Sequence, residues 1–293
     1  MTLRFETIDV FTDRRFGGNP LAVVFGAEAL DAATMQAIAA EFGYSETTFV
    51  LPPADAAHTA RVRIFMPAQE VPFAGHPNVG TGFVIAARGE IFSQIVGDRL
   101  IFEEDAGLVE VEVLRDGGRV AGARIAAPKP LATGATVDTA TVAACLGLPE
   151  ADIVTSAHRP IVASVGLGFV MVELAGPAAL GRIEPDPAAF RYLPEDAHDI
   201  HVYARTPDEP DLDLRARMFA PLEGVPEDPA TGSANAALGA LLASLAPSGR
   251  VSLRIGQGDE MGRPSRLLVE AGPGRATVAG PCVRFAEGTL AFG

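Results

Sequence analysis

Apolar and polar positions alternate in some stretches of the chain and recur every three to four residues in others, which separates expected strands from expected helices. Residues 5–11 alternate, and residues 21–25 form a continuous apolar run; both are expected strands. Between them, residues 13–20 are rich in charge, glycine and proline and are expected as a turn. Asp31 stands where an N-cap belongs and Gly43 where a helix stops, which predicts a helix to about Phe42. Residues 44–50 then read as a strand closed by Pro52 and Pro53, and residues 61–65 as another. A helix is expected from Gly75 to about Arg88, followed by a hairpin of residues 109–114 and 119–125 across Asp116, Gly117 and Gly118. Pro128, Lys129 and Pro130 form the best linker. Asp138 is expected to cap a helix running through Cys145 to Leu148. The remainder reads as strands, a glycine-rich turn, an apolar helix from Ser233 to about Leu245, and a closing hairpin.

The pattern contains an internal repeat. Glu70, Pro72, Gly75, Asn78 and Gly82 recur as Glu227, Pro229, Gly232, Asn235 and Gly239, every pair 157 positions apart (70 to 227, 82 to 239). An R-x-F-x-P strand end precedes each copy, at Arg63 to Pro67 and at Arg217 to Pro221, and a matching hairpin follows. Three ordered blocks at nearly one offset point to a duplication and thus to pseudo-two-fold symmetry. Each repeated loop opens a helix, whose N-terminus offers unpaired N–H groups and partial positive charge. Two such termini facing one cleft would suit a carboxylate or a developing oxyanion, so a small anionic substrate is expected.

Composition narrows the possibilities. With 293 residues the chain has room for two domains, with expected boundaries 1–127 and 128–293 and a last strand that could return to the first half. A formal charge of −14 argues against a nucleic-acid partner, since phosphate neutralisation needs a basic face. No apolar run is long enough to span a bilayer and no signal segment is evident, so no membrane association and a cytoplasmic location are expected. Cys145 and Cys282 lie among apolar neighbours and read as buried thiols. His198 and His201 have a metal-like spacing but lack a third ligand, so no metal is expected. Gly166 and Gly168 lack the third glycine of a dinucleotide fingerprint.

Several segments, taken in order, carry a resemblance. They are Gly18-Asn19-Pro20-Leu21-Ala22-Val23-Val24, Ser45-Glu46-Thr47-Thr48-Phe49, Phe73-Ala74-Gly75-His76-Pro77, Glu227-Asp228-Pro229-Ala230-Thr231-Gly232-Ser233-Ala234, and the late pair Gln257-Gly258 and Gly262-Arg263-Pro264-Ser265. Together they resemble the phenazine-biosynthesis PhzF-like isomerase family over nearly the whole chain. The resemblance implies an α+β fold of two pseudo-symmetric diaminopimelate epimerase-like domains, each a β-sheet wrapped around a central helix, with the active-site cleft between them. It further implies a homodimer and a cofactor-independent isomerase that moves a proton between carbons of a small carboxylate-bearing substrate. Glu46 carries over as the general acid/base, with His76 and Asp228 as catalytic partners and Asn19, Gly75, Gly232 and Ser233 at the substrate. The racemases of the same fold use two cysteines in the equivalent loops. Here the loops hold Gly75-His76 and Thr231-Gly232-Ser233, so two-thiol chemistry is not expected.

Physical chemistry supplies roles for these residues. A carboxyl such as Glu46 set among apolar neighbours has its charged form disfavoured, which moves it toward a useful acid/base range. His76 can donate to a substrate oxygen or shuttle a proton. Asp228 can orient His76 or hold an amine, or else cap a helix. Ser233 can bind a carboxylate through its hydroxyl and N–H, or merely occupy a first helical turn. The competing readings are a non-catalytic small-acid binding protein and a metal-assisted hydrolase built on His198 and His201.

Overall fold

A computed structural model of the chain describes residues 2–291. Their contacts form two units: residues 2–126 with 279–291, and residues 127–278. Strands predominate in both and helices are few.

In the first unit the strand Thr2–Val10 pairs antiparallel with Asn19–Phe25. The helix Ala32–Phe42 then crosses to Glu46–Leu51, which runs parallel to Asn19–Phe25. Both ends of that helix are fixed locally, as the sequence predicts. The Thr34 N–H donates to Asp31 Oδ1 at 2.8 Å, and Gly43 takes the left-handed conformation (φ 63°) that stops a helix. Ala60–Phe65 follows antiparallel to Glu46–Leu51 and parallel to Arg99–Glu104. The latter turns back as Gly107–Asp116 and then as Arg119–Ala126. These strands enclose the helix Gly75–Arg88, buried continuously from Gly75 to Ala86.

The second unit repeats the plan. Ile161–Ser164 pairs antiparallel with Gly168–Leu174, which runs parallel to Ile200–Arg205. Leu214–Ala220 lies antiparallel to Ile200–Arg205 and parallel to Val251–Gln257, which pairs with Ser265–Gly272. The enclosed helix is Gly232–Leu245, built of small apolar residues. The repeated glycines explain the fit. A Cβ on Gly82 would stand 2.6 Å from Val111 Cγ1, and one on Gly239 would stand 2.4 Å from Val269 Cγ1. Each helix thus lies directly against its enclosing strand, at a distance no larger residue permits.

The repeated Arg and Glu also have a job in each unit. Arg63 forks onto Glu70 through two bonds of 2.6 Å, and Arg217 onto Glu227 through bonds of 2.7 and 2.8 Å. Each guanidinium also lies over a phenylalanine ring, Phe65 or Phe219. A bidentate pair of this kind ties the strand end to the loop that opens the helix.

One expected detail is corrected. Asp138 occupies the N-cap position of the helix Thr139–Leu146, but its side chain caps nothing. It accepts instead from Arg159 Nη2 at 3.3 Å, and the helix stops at Gly147 (φ 64°). The two cysteines are unpaired and buried, and burial pushes their thiols up to about 11 for Cys145 and about 12 for Cys282.

Candidate active site

Glu46 opens its strand beside Leu21, one residue past Pro20, because the crossover returns the chain parallel to Asn19–Phe25. The turn before that strand is forced. Gly18 has φ 63°, and a Cβ there would stand 2.2 Å from the Val10 carbonyl oxygen. Asp9 Oδ2 accepts the Phe16 N–H at 2.9 Å and ties down the same loop. Asn19 is wholly buried and accepts from Ser45 Oγ at 3.4 Å, which links the starts of the two parallel strands.

His76 lies in the first turn of the central helix and reaches both strand starts. Its Nε2 stands 3.5 Å from Glu46 Oε2, with the histidine side chain 5% and the glutamate 15% exposed. The ring also bonds to the backbone of Pro20. Proline has no N–H, so the ring must donate to the Pro20 carbonyl. Nε2 makes no hydrogen bond, so Nδ1 is the donor. Nε2 therefore presents a lone pair toward Glu46, to which a protonated Glu46 or a substrate hydroxyl can donate. Burial is the larger influence on the ring and holds its pKa at about 3, against the pull of the Pro20 carbonyl. The imidazole is neutral at physiological pH.

In the second unit, Thr231 is the N-cap residue of the helix Gly232–Leu245, not Asp228. Asp228 is buried and accepts from the Thr231 hydroxyl at 2.6 Å. Gln257 braces the same loop. Its Oε1 accepts from Asn235 Nδ2 at 2.7 Å and from the Thr231 N–H at 3.2 Å, and its Nε2 donates to the Asp228 carbonyl at 2.8 Å. Ser233 is half-buried in the first helical turn. His201 is wholly buried inside its strand, and His198 lies before the strand begins at Ile200. No three metal-ligating side chains come together among the described residues. No described helix is long and apolar enough to cross a membrane.

Comparison with known proteins gives this geometry a context. The phenazine biosynthesis-like protein family, PhzC-PhzF, matches residues 8–288. The chain belongs to this family. It is 40% identical to an uncharacterized isomerase of Mesorhizobium japonicum, over 99% of both chains. It is 36% identical to the trans-2,3-dihydro-3-hydroxyanthranilate isomerase of Pseudomonas chlororaphis, over 98% of both. Among solved structures, the PhzF-family protein of Bacillus anthracis superposes with a TM-score of 0.89 at 23% identity, over 100% of both chains.

This PhzC-PhzF protein is an isomerase, as its relatives are named. Of the residues singled out in the sequence, Asn19, Glu46, Gly75 and His76 gather in the first unit, and Asp228, Gly232 and Ser233 in the second. Sequence reading missed Pro20, whose carbonyl sets the His76 tautomer, because a backbone acceptor leaves no mark on residue identity. It also missed Asp199. Glu46 and Asp199 each stand three residues before a partner of the repeated arginine, Phe49 opposite Arg63 and Val202 opposite Arg217. Asp199 is thus the counterpart of Glu46, and burial, with Glu223 nearby, raises its carboxyl to about 7.

Proposed function

We propose that the protein moves a proton between two carbons of a small carboxylate-bearing substrate, with Glu46 as the acid/base. The Glu46 carboxylate takes the proton from an activated C–H, and the electron pair passes into the substrate's π-system. The Glu46 acid, which exchanges its proton with solvent, then delivers a proton to another carbon of that system. Nothing is oxidised, and the glutamate ends as it began. Neutral His76 accepts through Nε2, so it orients the protonated Glu46 or a substrate hydroxyl while its own Nδ1 stays committed to Pro20. Asp228 is assigned a supporting catalytic role, and Asn19, Gly75, Gly232 and Ser233 are assigned to the substrate, since helix N-termini such as those at Gly75 and Gly232 favour an anionic group. The P. chlororaphis relative is named for a cyclic amino acid with such a carboxylate, which supports this substrate class.

The observation that carries the proposal is the Glu46 carboxyl set 3.5 Å from a buried neutral imidazole. Removal of a positioned acid/base is worth roughly 10²–10⁴-fold in rate. Glu46→Gln should lose turnover of trans-2,3-dihydro-3-hydroxyanthranilate by at least about that factor while its thermal unfolding stays close to wild type. Turnover by Glu46→Gln at the wild-type rate would remove the assignment.

A further inference from the structure

The loop that carries His76 is braced in a way the sequence repeat conceals. Val111 and Val269 are matched positions, and each packs against the matched glycine of its helix. Leu100 lies opposite Val111, and Leu253 opposite Val269. Four residues further along each strand stand Glu104 and Gln257, so these two occupy one structural position. In the second unit Gln257 uses both ends of its amide: the oxygen accepts from Asn235 and the Thr231 N–H, and the nitrogen donates to the Asp228 carbonyl. The counterparts in the first unit are Asn78, the Ala74 N–H and the Val71 carbonyl. A carboxylate cannot reproduce this pattern, because it only accepts. A neutral carboxylic acid can, since it has one accepting and one donating oxygen.

We propose that Glu104 is a positioning residue that works as a neutral carboxylic acid, doing for the loop of residues 71–76 what the Gln257 amide does for the loop of residues 228–233. This rests on the reading of Glu46 and His76 as the reacting pair. The surroundings support the neutral form. Both Glu104 oxygens are buried, the polar side chain that acts on them is Asn78, the counterpart of Asn235, and no cation pairs with the residue among the described residues. The turn that follows Glu104 is fastened to the same loop, since the Ala106 N–H donates to the Pro72 carbonyl at 3.2 Å. The neighbouring titratable groups are accounted for. Asp105 adds negative charge and is paired with Arg61 at 3.8 Å. Glu103, on the other face of the strand, binds His58 at 2.8 Å. Glu70 is held by Arg63, and His76 is neutral. Burial outweighs the Asn78 hydrogen bond, which favours the carboxylate, and with a smaller push from Asp105 raises the Glu104 carboxyl to about 8.

The test compares wild type with Glu104→Gln and Glu104→Ala. Near neutral pH, the infrared difference spectrum of wild type minus Glu104→Gln should show a protonated-carboxyl band, over and above the contribution of Asp199 common to both; no such difference would overturn the proposal. Turnover of trans-2,3-dihydro-3-hydroxyanthranilate by wild type should fall as pH rises through about 8. Glu104→Gln should keep the neutral-pH rate within about threefold and lose that alkaline limb, while Glu104→Ala should be slow throughout. A folded Glu104→Gln that is inactive, or that keeps the limb unchanged, would overturn it. Should no variant turn this substrate over, the functional reading fails, but the infrared band and the His76 ring signals in NMR still decide the matter. Those signals should shift with pH through the Glu104 transition in wild type and stay constant in Glu104→Gln; unshifted wild-type signals would count against the proposal.

Discussion

At the scale of single residues, the site depends on which protonation state burial allows. His76 has a folded pKa of about 3, against 6.5 when unperturbed. Depressed in the folded state, it contributes stability that is present above about pH 6.5 and lost as pH falls toward 3, because the unfolded chain takes up a proton the folded chain refuses. Between pH about 7 and about 4.5 this amounts to on the order of 2 kcal/mol. Urea unfolding at the two pH values should therefore show a smaller loss for His76→Gln than for wild type, by about that amount. An identical loss in both would show that His76 is not buried in its neutral form. Much of this could be read in advance: Ser45-Glu46-Thr47 and Gly75-His76-Pro77 marked the two side chains by resemblance. Their contact could not, because it depends on a crossover that sets Glu46 beside Leu21.

At the scale of elements, glycine spacing governs how closely each central helix meets its enclosing strand. Gly82→Ala would press a methyl into Val111, and Gly239→Ala one into Val269. Each should cost about 1–3 kcal/mol in denaturant unfolding, the usual penalty for overfilling a packed core. Trimming the valine should relieve it, so the double variant Gly82→Ala/Val111→Ala should recover part of the loss. An unchanged midpoint in Gly82→Ala would show that the helix and strand are not in close contact. The helices themselves were legible, since Asp31, Gly43 and the repeated Gly75 and Gly232 mark their ends. Asp138 shows where such signals mislead: Arg159 competes for the carboxylate that would otherwise cap. The Arg63–Glu70 and Arg217–Glu227 pairs were present in the repeat as letters, but pairing across an antiparallel turn is visible only once the strands are registered.

At the scale of the whole molecule, the duplication is the feature the sequence displayed most openly, and both units carry it in strand order, helix and ion pair. The chain does not divide at one point, because residues 279–291 belong with the first unit; a long closing strand, Arg275–Ala291, gives no sequence signal of where its partners change. The two copies have also diverged where chemistry differs. Glu46 stands opposite Asp199 in the duplicated plan, His76 opposite Ser233, and Glu104 opposite Gln257. The central claim, that Glu46 carries the migrating proton, is tested most directly by isotope transfer. Trans-2,3-dihydro-3-hydroxyanthranilate incubated in D2O with wild-type protein should yield product bearing deuterium at the newly protonated carbon, and Glu46→Gln should yield none. Equal deuterium incorporation by Glu46→Gln would contradict the claim.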